Sequence, residues 1–428
     1  MTSQQSQHDK TPSLPDAYAA AASVATGKRN AAVLAVCQGL FTCAISIDLT
    51  LTALTGWQLA PDKSLATLPF ALITVAGAVV TWFAAFLIQR LGRRLSFALG
   101  AASCCAGGLI SVWSVFHGHF WTFCAGTALV GVFQAFAQYY RLAAADAVTD
   151  EFKGRAISTV LTGGVIAAII GPALAAWSKD LFPAALFSGA YLVVAAMGLL
   201  SVLVLLLFYR DMAALPAATG VQAAHAPPRP LGVIVRTPVF VASVANNVAG
   251  SMIMMFIMTA APLAAVACHH GIDDGAAIIQ WHLIGMYAPS FFAGRLIKRF
   301  GLGAVLLAGL ALNLACAVTA MASTSLPAFY AALLFLGVGW NFSLVGGTTL
   351  LAQSYAPSER AKTQGFSELL RYGATALATL GAGPLLARFG WETLNAAILP
   401  VLLLCALATG RWMLAERANR PQALRGLG

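Results

Sequence analysis

Charged residues are scarce in this chain. Asp, Glu, Lys and Arg make up 9% of its 428 residues, hydrophobic residues make up 59%, and the mean hydropathy is +0.80. A soluble globular domain carries about 25% charged residues, because its surface must be solvated. The composition therefore excludes an ordinary soluble domain and indicates a chain embedded in a lipid bilayer.

Acidic residues are fewer than basic residues, and sequence patterns typical of metal sites are lacking. The chain has 15 Asp and Glu against 25 Lys and Arg, but the cations lie in short loops between apolar runs, which argues against a nucleic-acid partner. The eight cysteines show no metal-ligand or redox spacing, and the sequence contains no H-E-x-x-H, paired-aspartate or Walker motif. We therefore predict no metal, no cofactor and no enzymatic activity.

Long apolar runs fill most of the chain, each long enough to cross a hydrocarbon core of about 30 Å. They predict an all-α membrane protein with 12 transmembrane helices. The predicted spans are 31–56, 64–88, 95–116, 120–139, 156–177, 184–208, 238–266, 276–297, 302–323, 328–352, 366–387 and 391–414. The predicted organisation is an N-terminal tail (1–30), a six-helix half (31–208), a linker (209–237), a second six-helix half (238–414) and a C-terminal tail (415–428).

Two loops recur at one constant offset of 209 residues. AFLIQRLGRR at 85–94 is repeated as GRLIKRFG at 294–301, and DEFKGRAIS at 150–158 aligns without a gap with ERAKTQGFS at 359–367. Agreement of two independent loops on one offset indicates an internal duplication. The two predicted halves should therefore be pseudo-symmetric.

Lysine and arginine are distributed unevenly between alternate loops. With twelve spans, only Lys63, Lys179 and Arg388 fall on one side of the membrane outside the predicted helices. Loops on the cytoplasmic side carry the excess of these residues. This predicts a multi-pass protein of the bacterial inner membrane, with both termini and the linker cytoplasmic.

The duplicated loop carries a recognisable motif. Twelve spans in two halves, with R-x-G-R-R after the second span, resemble the major facilitator superfamily. The matching residues are Arg90, Gly92, Arg93 and Arg94 in the first copy and Gly294, Arg299 and Gly301 in the second. The resemblance implies a secondary transporter in which these loops act as gates.

The same loop departs from the superfamily pattern at its acidic positions. Gln89 replaces the aspartate of the first copy, and Lys298 stands at the acidic position of the second. The latch that this loop forms in the superfamily should therefore be wired differently. We expect Arg90 to find a partner across the bundle, for example Asp146 or Asp150.

Three further strings resemble a group of proteobacterial permeases in the superfamily, some of which are assigned to riboflavin transport. They are QAFAQYYRLAAADA from Gln134, QWHLIGMYAPSFFAG from Gln280 and GWNFSLVGGTTLL from Gly339. The resemblance implies uptake of a nutrient or vitamin, with riboflavin as the best candidate, by a monomer that uses a small-molecule substrate and protons. Proton-coupled efflux of small organic compounds or drugs is the alternative.

A few ionisable residues lie inside predicted spans, where a charge costs about 2.5–3.5 kcal/mol on insertion scales. Asp48 either binds a proton or cationic group in a central cavity or is a hydrogen-bonded structural aspartate. His282 is either a proton relay or a histidine satisfied by a neighbour. Glu368 and Arg371, three residues apart, share a helix face and predict an ion pair, with substrate contact as the alternative. Glu368 is also a candidate for proton coupling.

Neutral polar side chains also occur deep in the spans. In the superfamily, the first, fourth, seventh and tenth helices line the central cavity, and most of this set falls on them. The candidate cavity residues are Gln38, Gln134, Asn246, Asn247, Trp340 and Asn341, together with Asp48 and His282. Amides that join helices would lie equally deep. A cavity of amides and aromatic rings suits a flat, hydrogen-bonding molecule such as a flavin.

Overall fold

Helices account for all the regular structure in the part of the chain that the computed structural model describes, which is residues 14–148, 150–211 and 228–425. Residues 1–13, 212–227 and 426–428 of the predicted tails and linker lie outside it. A bilayer interior offers no water to backbone N–H and C=O groups, so a spanning segment must satisfy them internally, as a helix does.

The helices, in chain order, are α1 (Leu14–Leu59), α2 (Leu68–His117), α3 (Phe120–Ala137), α4 (Tyr140–Asp146), α5 (Asp150–Ser178), α6 (Ser188–Phe208), α7 (Leu231–Ile234), α8 (Pro238–Ala267), α9 (Ile272–Tyr287), α10 (Ser290–Phe300), α11 (Leu302–Ala322), α12 (Leu326–Ala352), α13 (Arg360–Ala396) and α14 (Leu399–Arg425). Short 3-10 turns occur at Lys63–Leu65 and Pro357–Glu359. Helix α1 begins within the predicted N-terminal tail, in a stretch rich in alanine, the strongest helix former.

The number of membrane crossings follows from the kinks. Ten stretches of the described residues are long and apolar enough to cross a bilayer. One of them, Lys362–Ala418, has 57 residues, about 86 Å of helix, and turns at Gly390, so it crosses twice. Helices α9 and α10, of 16 and 11 residues, together form one more crossing. It is not among the ten because the break at 288–289 leaves each helix too short to span the bilayer alone. The twelve predicted membrane helices are confirmed.

The sequence repeat is also a repeat of backbone conformation. Gly92 has φ 80° and ψ 168°, and Gly301, its equivalent 209 residues later, has φ 86° and ψ 156°. This region is almost restricted to glycine, because a Cβ would clash with the backbone. Each glycine turns the chain from one membrane helix into the next, so α2 contains two membrane helices that meet at Gly92: most of predicted span 64–88 and all of 95–116.

Each half has its own apolar core. One buried cluster is built mainly from α1 to α6 and includes Phe133 and Tyr191, and a second comes mainly from α8 to α14 and includes Ile253 and Leu333. Lipid tails are as apolar as these side chains, so close packing rather than exclusion from water holds such helices together. The separate cores agree with two six-helix halves.

The two ends of the bundle differ in charge. We call the end that carries Arg90, Arg93, Arg94, Lys298 and Arg299 the basic face. The other end, with Lys63, Lys179 and Arg388, is the opposite face. In the described residues, the halves share apolar contacts at mid-membrane or nearer the opposite face. The first half contributes Ile45, Leu49, Phe70 and Ile73 to the second core, and the second half contributes Leu263, Ile272 and Leu386 to the first.

Glycine environments show the same asymmetry between the two ends. A Cβ added to Gly383 of α13, near the opposite face, would lie 2.3 Å from Thr67 Oγ1 and 3.0 Å from the Ser64 carbonyl oxygen, both in the first half. A Cβ added to Gly365 or Gly373, nearer the basic face, meets nothing within 4 Å. The described contacts between the halves are therefore concentrated at mid-membrane and towards the opposite face.

Candidate functional site

Asp48 is fully buried in α1, inside the first half. Its Oδ1 accepts a hydrogen bond of 2.9 Å from the Thr52 hydroxyl, one helical turn further along. The Tyr191 hydroxyl of α6 lies 3.2 Å from the Thr52 hydroxyl and 3.0 Å from that of Thr55. Asp48 Oδ2 has no hydrogen-bond partner among the described residues. One carboxyl oxygen is thus held by a hydroxyl network, and the other is buried without a partner in the described residues.

His282 is fully buried where α9 packs against α12. Its Nδ1 lies 2.8 Å from the Leu333 carbonyl oxygen. A carbonyl only accepts, so Nδ1 carries the hydrogen and Nε2 is the acceptor nitrogen of the neutral ring. Within the described chain, Nε2 has no partner. One ring nitrogen is therefore satisfied by a backbone carbonyl, and the other has no partner in the described residues.

Two of the predicted cavity asparagines join helices of the second half. Asn246 Nδ2 of α8 donates to the Ala242 carbonyl at 2.8 Å and to the Thr409 hydroxyl of α14 at 2.8 Å. Asn341 Nδ2 of α12 donates to the Met286 carbonyl at 2.7 Å and to Ser290 Oγ at 2.6 Å, across the break between α9 and α10. Both amides satisfy groups on neighbouring helices, as polar residues at helix contacts do.

Asn247 faces α12 rather than an open cavity. A Cβ on Gly347 would lie 2.6 Å from Asn247 Oδ1, so the glycine allows this close approach. One turn from it, Ser243 Oγ donates to the Gly347 carbonyl at 2.8 Å. Asn313 of α11, which the sequence analysis missed, is equally buried, and neither its Oδ1 nor its Nδ2 has a partner in the described residues. The sequence signal for Asn313 as a deep polar residue was a single amide in an otherwise apolar run.

The remaining predicted cavity residues are partly buried. Gln38 Nε2 lies 3.3 Å from the Thr42 hydroxyl on the same helix. Gln134 packs against Gly77 of α2, where an added Cβ would lie 3.4 Å from its amide carbon. Trp340 has a buried indole N–H without a partner among the described residues. The deep polar side chains thus belong to several helix contacts, and they do not form one continuous cluster.

Glu368 and Arg371 form the ion pair that their spacing predicts. Arg371 Nη2 and Nε both donate to Glu368 Oε2, the latter at 3.1 Å. The guanidinium group also lies over the ring of Tyr372, 4.3 Å from its centroid. Tyr139 of the first half is close enough to Tyr372 to interact electrostatically, and its hydroxyl donates to the Thr81 carbonyl at 3.1 Å. A charged and aromatic group of α13 therefore lies near Tyr139 of the first half.

The first basic turn is held by a carboxylate outside the motif. Asp211 Oδ1, just after α6, accepts hydrogen bonds of 3.0 Å from the backbone N–H groups of Arg93 and Arg94. Arg93 Nη2 pairs with Asp146 Oδ2 at 2.5 Å. Asp146, one of the two partners expected for Arg90, is thus held by Arg93, and the side chain of the other, Asp150, lies outside the described part of the chain. Arg90 lies over the ring of Phe86, 4.4 Å from its centroid, because both belong to one helix face.

The side-chain contacts of the second basic turn differ from those of the first. The positions equivalent to Arg93 and Arg94 are Leu302 and Gly303, so the arginine contacts of the first copy have no counterpart. Arg299 lies over its neighbour Phe300 at 5.2 Å, and a Cβ on Gly294 would meet nothing within 4 Å. The two copies share their turn but not their side-chain contacts.

A linker residue supplies the strongest ion pair of the second half. Arg229 donates to both carboxylate oxygens of Glu359, from Nε at 2.9 Å and Nη2 at 2.7 Å, and from its backbone N–H at 2.7 Å. Glu359 also accepts from the Ala356 N–H at 2.9 Å. These donors lower the pKa of Glu359 to about 2. The alignment of Glu359 with Asp150 in the repeat was a signal for this acid, but its partner lies 130 residues away.

Known proteins share this sequence pattern and architecture. A sequence model of the Major Facilitator Superfamily matches residues 34–279 and 275–426. The chain belongs to the major facilitator superfamily. The crystal structure of a D-xylose-proton symporter superposes with a TM-score of 0.66 at 14% identity, over 91% of this chain and 97% of the symporter. At that identity the likeness shows the fold alone.

Two sequence relatives match most of the chain. The riboflavin transporter RfnT of Brucella anthropi is 40% identical over 377 residues, which are 88% of this chain and 94% of RfnT. The uncharacterized MFS-type transporter YdeG of Bacillus subtilis is 28% identical over 357 residues, 80% of this chain and 82% of YdeG. The predicted fold and transporter class are confirmed: this protein is a membrane transporter of the superfamily and not an enzyme.

Proposed function

We propose that this protein takes up riboflavin. The observation that carries the proposal is the 40% identity to a riboflavin transporter along nearly the whole of both chains. The composition of the deep polar set supports it, because amides and aromatic rings suit a flat molecule with many hydrogen-bonding edges. Of the candidate residues, Asn246 and Asn341 hold neighbouring helices and Asn247 faces α12. The partly buried Gln38, Gln134 and Trp340 are therefore the neutral side chains best placed to meet the ring system.

We infer that transport proceeds by alternating access, in which two halves rock about a site near the middle of the membrane. Contacts between the halves at Gly383 and in the second core support a state that is closed at the opposite face, and such a state would open towards the basic face. By the positive-inside rule, the basic face is cytoplasmic in the bacterial inner membrane. In this orientation the state releases substrate into the cell, and both termini and the linker are cytoplasmic. The transporter works as a monomer.

Asp48 is the proposed proton-coupling residue. Its Oδ1 is held by Thr52, and its Oδ2 has no partner in the described residues, so a proton can be exchanged on Oδ2 without breaking the Thr52 bond. An ionisable residue at membrane depth marks a functional site by default. Glu368 is occupied by Arg371, which makes it less suited to this task, whereas His282, whose Nε2 likewise has no partner in the described residues, is the second candidate.

Growth of a riboflavin-auxotrophic bacterium tests the substrate. Cells carrying this chain should grow at low external riboflavin, and purified protein in liposomes should accumulate labelled riboflavin when the outside is acidic. Flavin mononucleotide is a matched control, because it adds a charged phosphate to the same ring system. Absence of rescue and uptake, with folded protein in the membrane, would refute the proposal. Riboflavin expelled against its gradient would instead identify an exporter.

A further inference from the structure

Helix α5 of the first half packs against α9 of the second, and we call this boundary the seam. Polar side chains connect the two halves at two depths along it. Gln280 Nε2 donates to the Ile169 carbonyl at 3.2 Å. Ile169 lies one turn before Pro172, where the proline interrupts the backbone hydrogen bonds of α5. At the end of the same seam, Lys179 Nζ lies 3.2 Å from Asp273 Oδ1, in the first turn of α9.

Lys179 is held unusually firmly for a loop lysine. Its side chain is 10% exposed, and its Nζ also pairs with Asp180 Oδ2 at 2.5 Å. The Phe187 N–H donates to the Lys179 carbonyl at 2.9 Å, which closes the loop between α5 and α6 around it. Asp273 is 71% exposed and belongs to the other half. The lysine therefore reaches from a fixed loop across the seam to a solvated acid.

The other cations of the opposite face are arranged differently. Lys63 Nζ donates to the Trp57 carbonyl at 2.5 Å and to the Ala60 carbonyl, both in its own half. Arg388 of the second half makes only a minor contribution to the lowered pKa of Asp62, which is lowered first by the Ser64 N–H. In the described residues, Lys179 and Asp273 form the one direct ion pair between the halves.

We propose that Lys179 and Asp273 form an ionic lock that holds the opposite face closed, with Asp180 as the counter-ion that remains when the lock opens. The inference rests on the alternating access proposed above. Because Asp180 and Lys179 share a loop, separation of the halves breaks the contact with Asp273 but leaves the lysine charge paired. The ion pair with Asp273 can therefore form and break repeatedly while the charge of the buried Lys179 stays paired with Asp180. Lys179 and Asp273 act as positioning residues that set the proportion of the closed state.

Distances across the opposite face test the lock directly. Spin labels on His117→Cys and Thr324→Cys, one in each half, report that distance in liposomes when the partly exposed Cys105 and Cys268 are replaced by serine. Lys179→Glu places three acids together and should shift the distribution to longer distances. Lys179→Glu combined with Asp273→Lys restores opposite charges across the seam and should return the distribution to that of the parent protein.

Two further variants keep the test decisive. Asp273→Asn should lengthen the distance as well, and its exposed position makes misfolding a poor explanation. Asp180→Asn, which leaves the contact between halves intact, should leave the distance unchanged. An unchanged distribution in folded Lys179→Glu or Asp273→Asn, or no recovery in the folded double variant, would overturn the lock. The measurement needs no substrate, so failure of riboflavin uptake would leave its outcome interpretable.

Discussion

At the scale of single residues, Glu359 shows how a buried acid is stabilised at the end of a membrane helix. It is 1% exposed, and its carboxylate accepts hydrogen bonds from the side chain and backbone of Arg229. Bidentate contacts of this kind are stronger than ordinary hydrogen bonds, and without Arg229 the buried carboxylate would lose its compensating charge. The pair also fixes the linker to the loop before α13.

We expect Glu359→Gln to lower the melting temperature of the detergent-solubilised protein at neutral pH. The pKa of Glu359 is lowered to about 2, from an ordinary value of 4.5, so its stabilisation is present above pH 4.5 and is lost as the pH falls towards 2. The difference in melting temperature between wild type and variant should therefore narrow on acidification. Arg229→Lys, which keeps the charge but loses the bidentate geometry, should lie between them. A pH-independent difference would contradict this account.

Asp48→Asn tests the proposed coupling residue. The amide keeps the size of the carboxyl group and its acceptor oxygen for Thr52, but it cannot exchange a proton. Accumulation of riboflavin driven by a pH gradient in liposomes should fall to the level of passive exchange, while exchange of labelled for unlabelled riboflavin continues. Thr52→Val is the control that removes the hydrogen bond but keeps the carboxyl group. Full gradient-driven accumulation in Asp48→Asn would exclude this role.

At the scale of helices and turns, the sequence repeat predicts where the chain turns but not what holds the turn. Gly92 and Gly301 could be recognised because they recur at one offset and share their conformation. Asp211, which holds the first turn, lies 118 residues from Arg93 and outside the motif. Hydrogen bonds of this range depend on how helices pack, which local pattern does not encode. The predicted pairing of Glu368 with Arg371 succeeded because helical spacing alone sets it.

Gly301 and Gly294 offer a matched test of the turn. Gly301 has φ 86°, whereas Gly294 lies inside α10, where an added Cβ would meet nothing within 4 Å. Gly301→Ala should destabilise the protein by about 1–3 kcal/mol, because the residue must keep a conformation that alanine resists. Gly294→Ala should be neutral or slightly stabilising, since alanine favours a helix. Thermal unfolding in detergent measures both, and equal effects would show that the turn relaxes freely.

At the scale of the whole molecule, hydropathy and the repeat were enough to predict twelve crossings and two halves. They could not predict which deep polar residues meet. Asn246 binds Thr409 of α14, and Asn341 bridges the break after Met286. In a membrane the lipid-facing and protein-facing sides of a helix are both apolar, so sequence periodicity does not separate them. The closure at one end was also hidden, because it depends on glycines that bring two distant segments together.

Gly383 is the clearest of these glycines, and it gives a test of the closed state. A Cβ there would lie 2.3 Å from Thr67 Oγ1, across the boundary between the halves, whereas a Cβ on Gly381 of the same helix meets nothing within 4 Å. Gly383→Ala should therefore destabilise closure by about 1–3 kcal/mol, the usual cost of overpacking. The Ser64 carbonyl oxygen, 3.0 Å from the added Cβ, belongs to the backbone and cannot rotate away, so we expect the halves to relieve the clash by separating at the opposite face.

The two alanine variants can be compared by spin-label distances across the opposite face and by riboflavin uptake. Gly383→Ala should lengthen the distances and slow uptake, since transport must pass through the closed state. Gly381→Ala should match the parent protein in both measurements, because it adds the same methyl group where there is space. Normal distances in folded Gly383→Ala would mean that Thr67 moves aside, and the packing at this glycine would then not be what closes the opposite face.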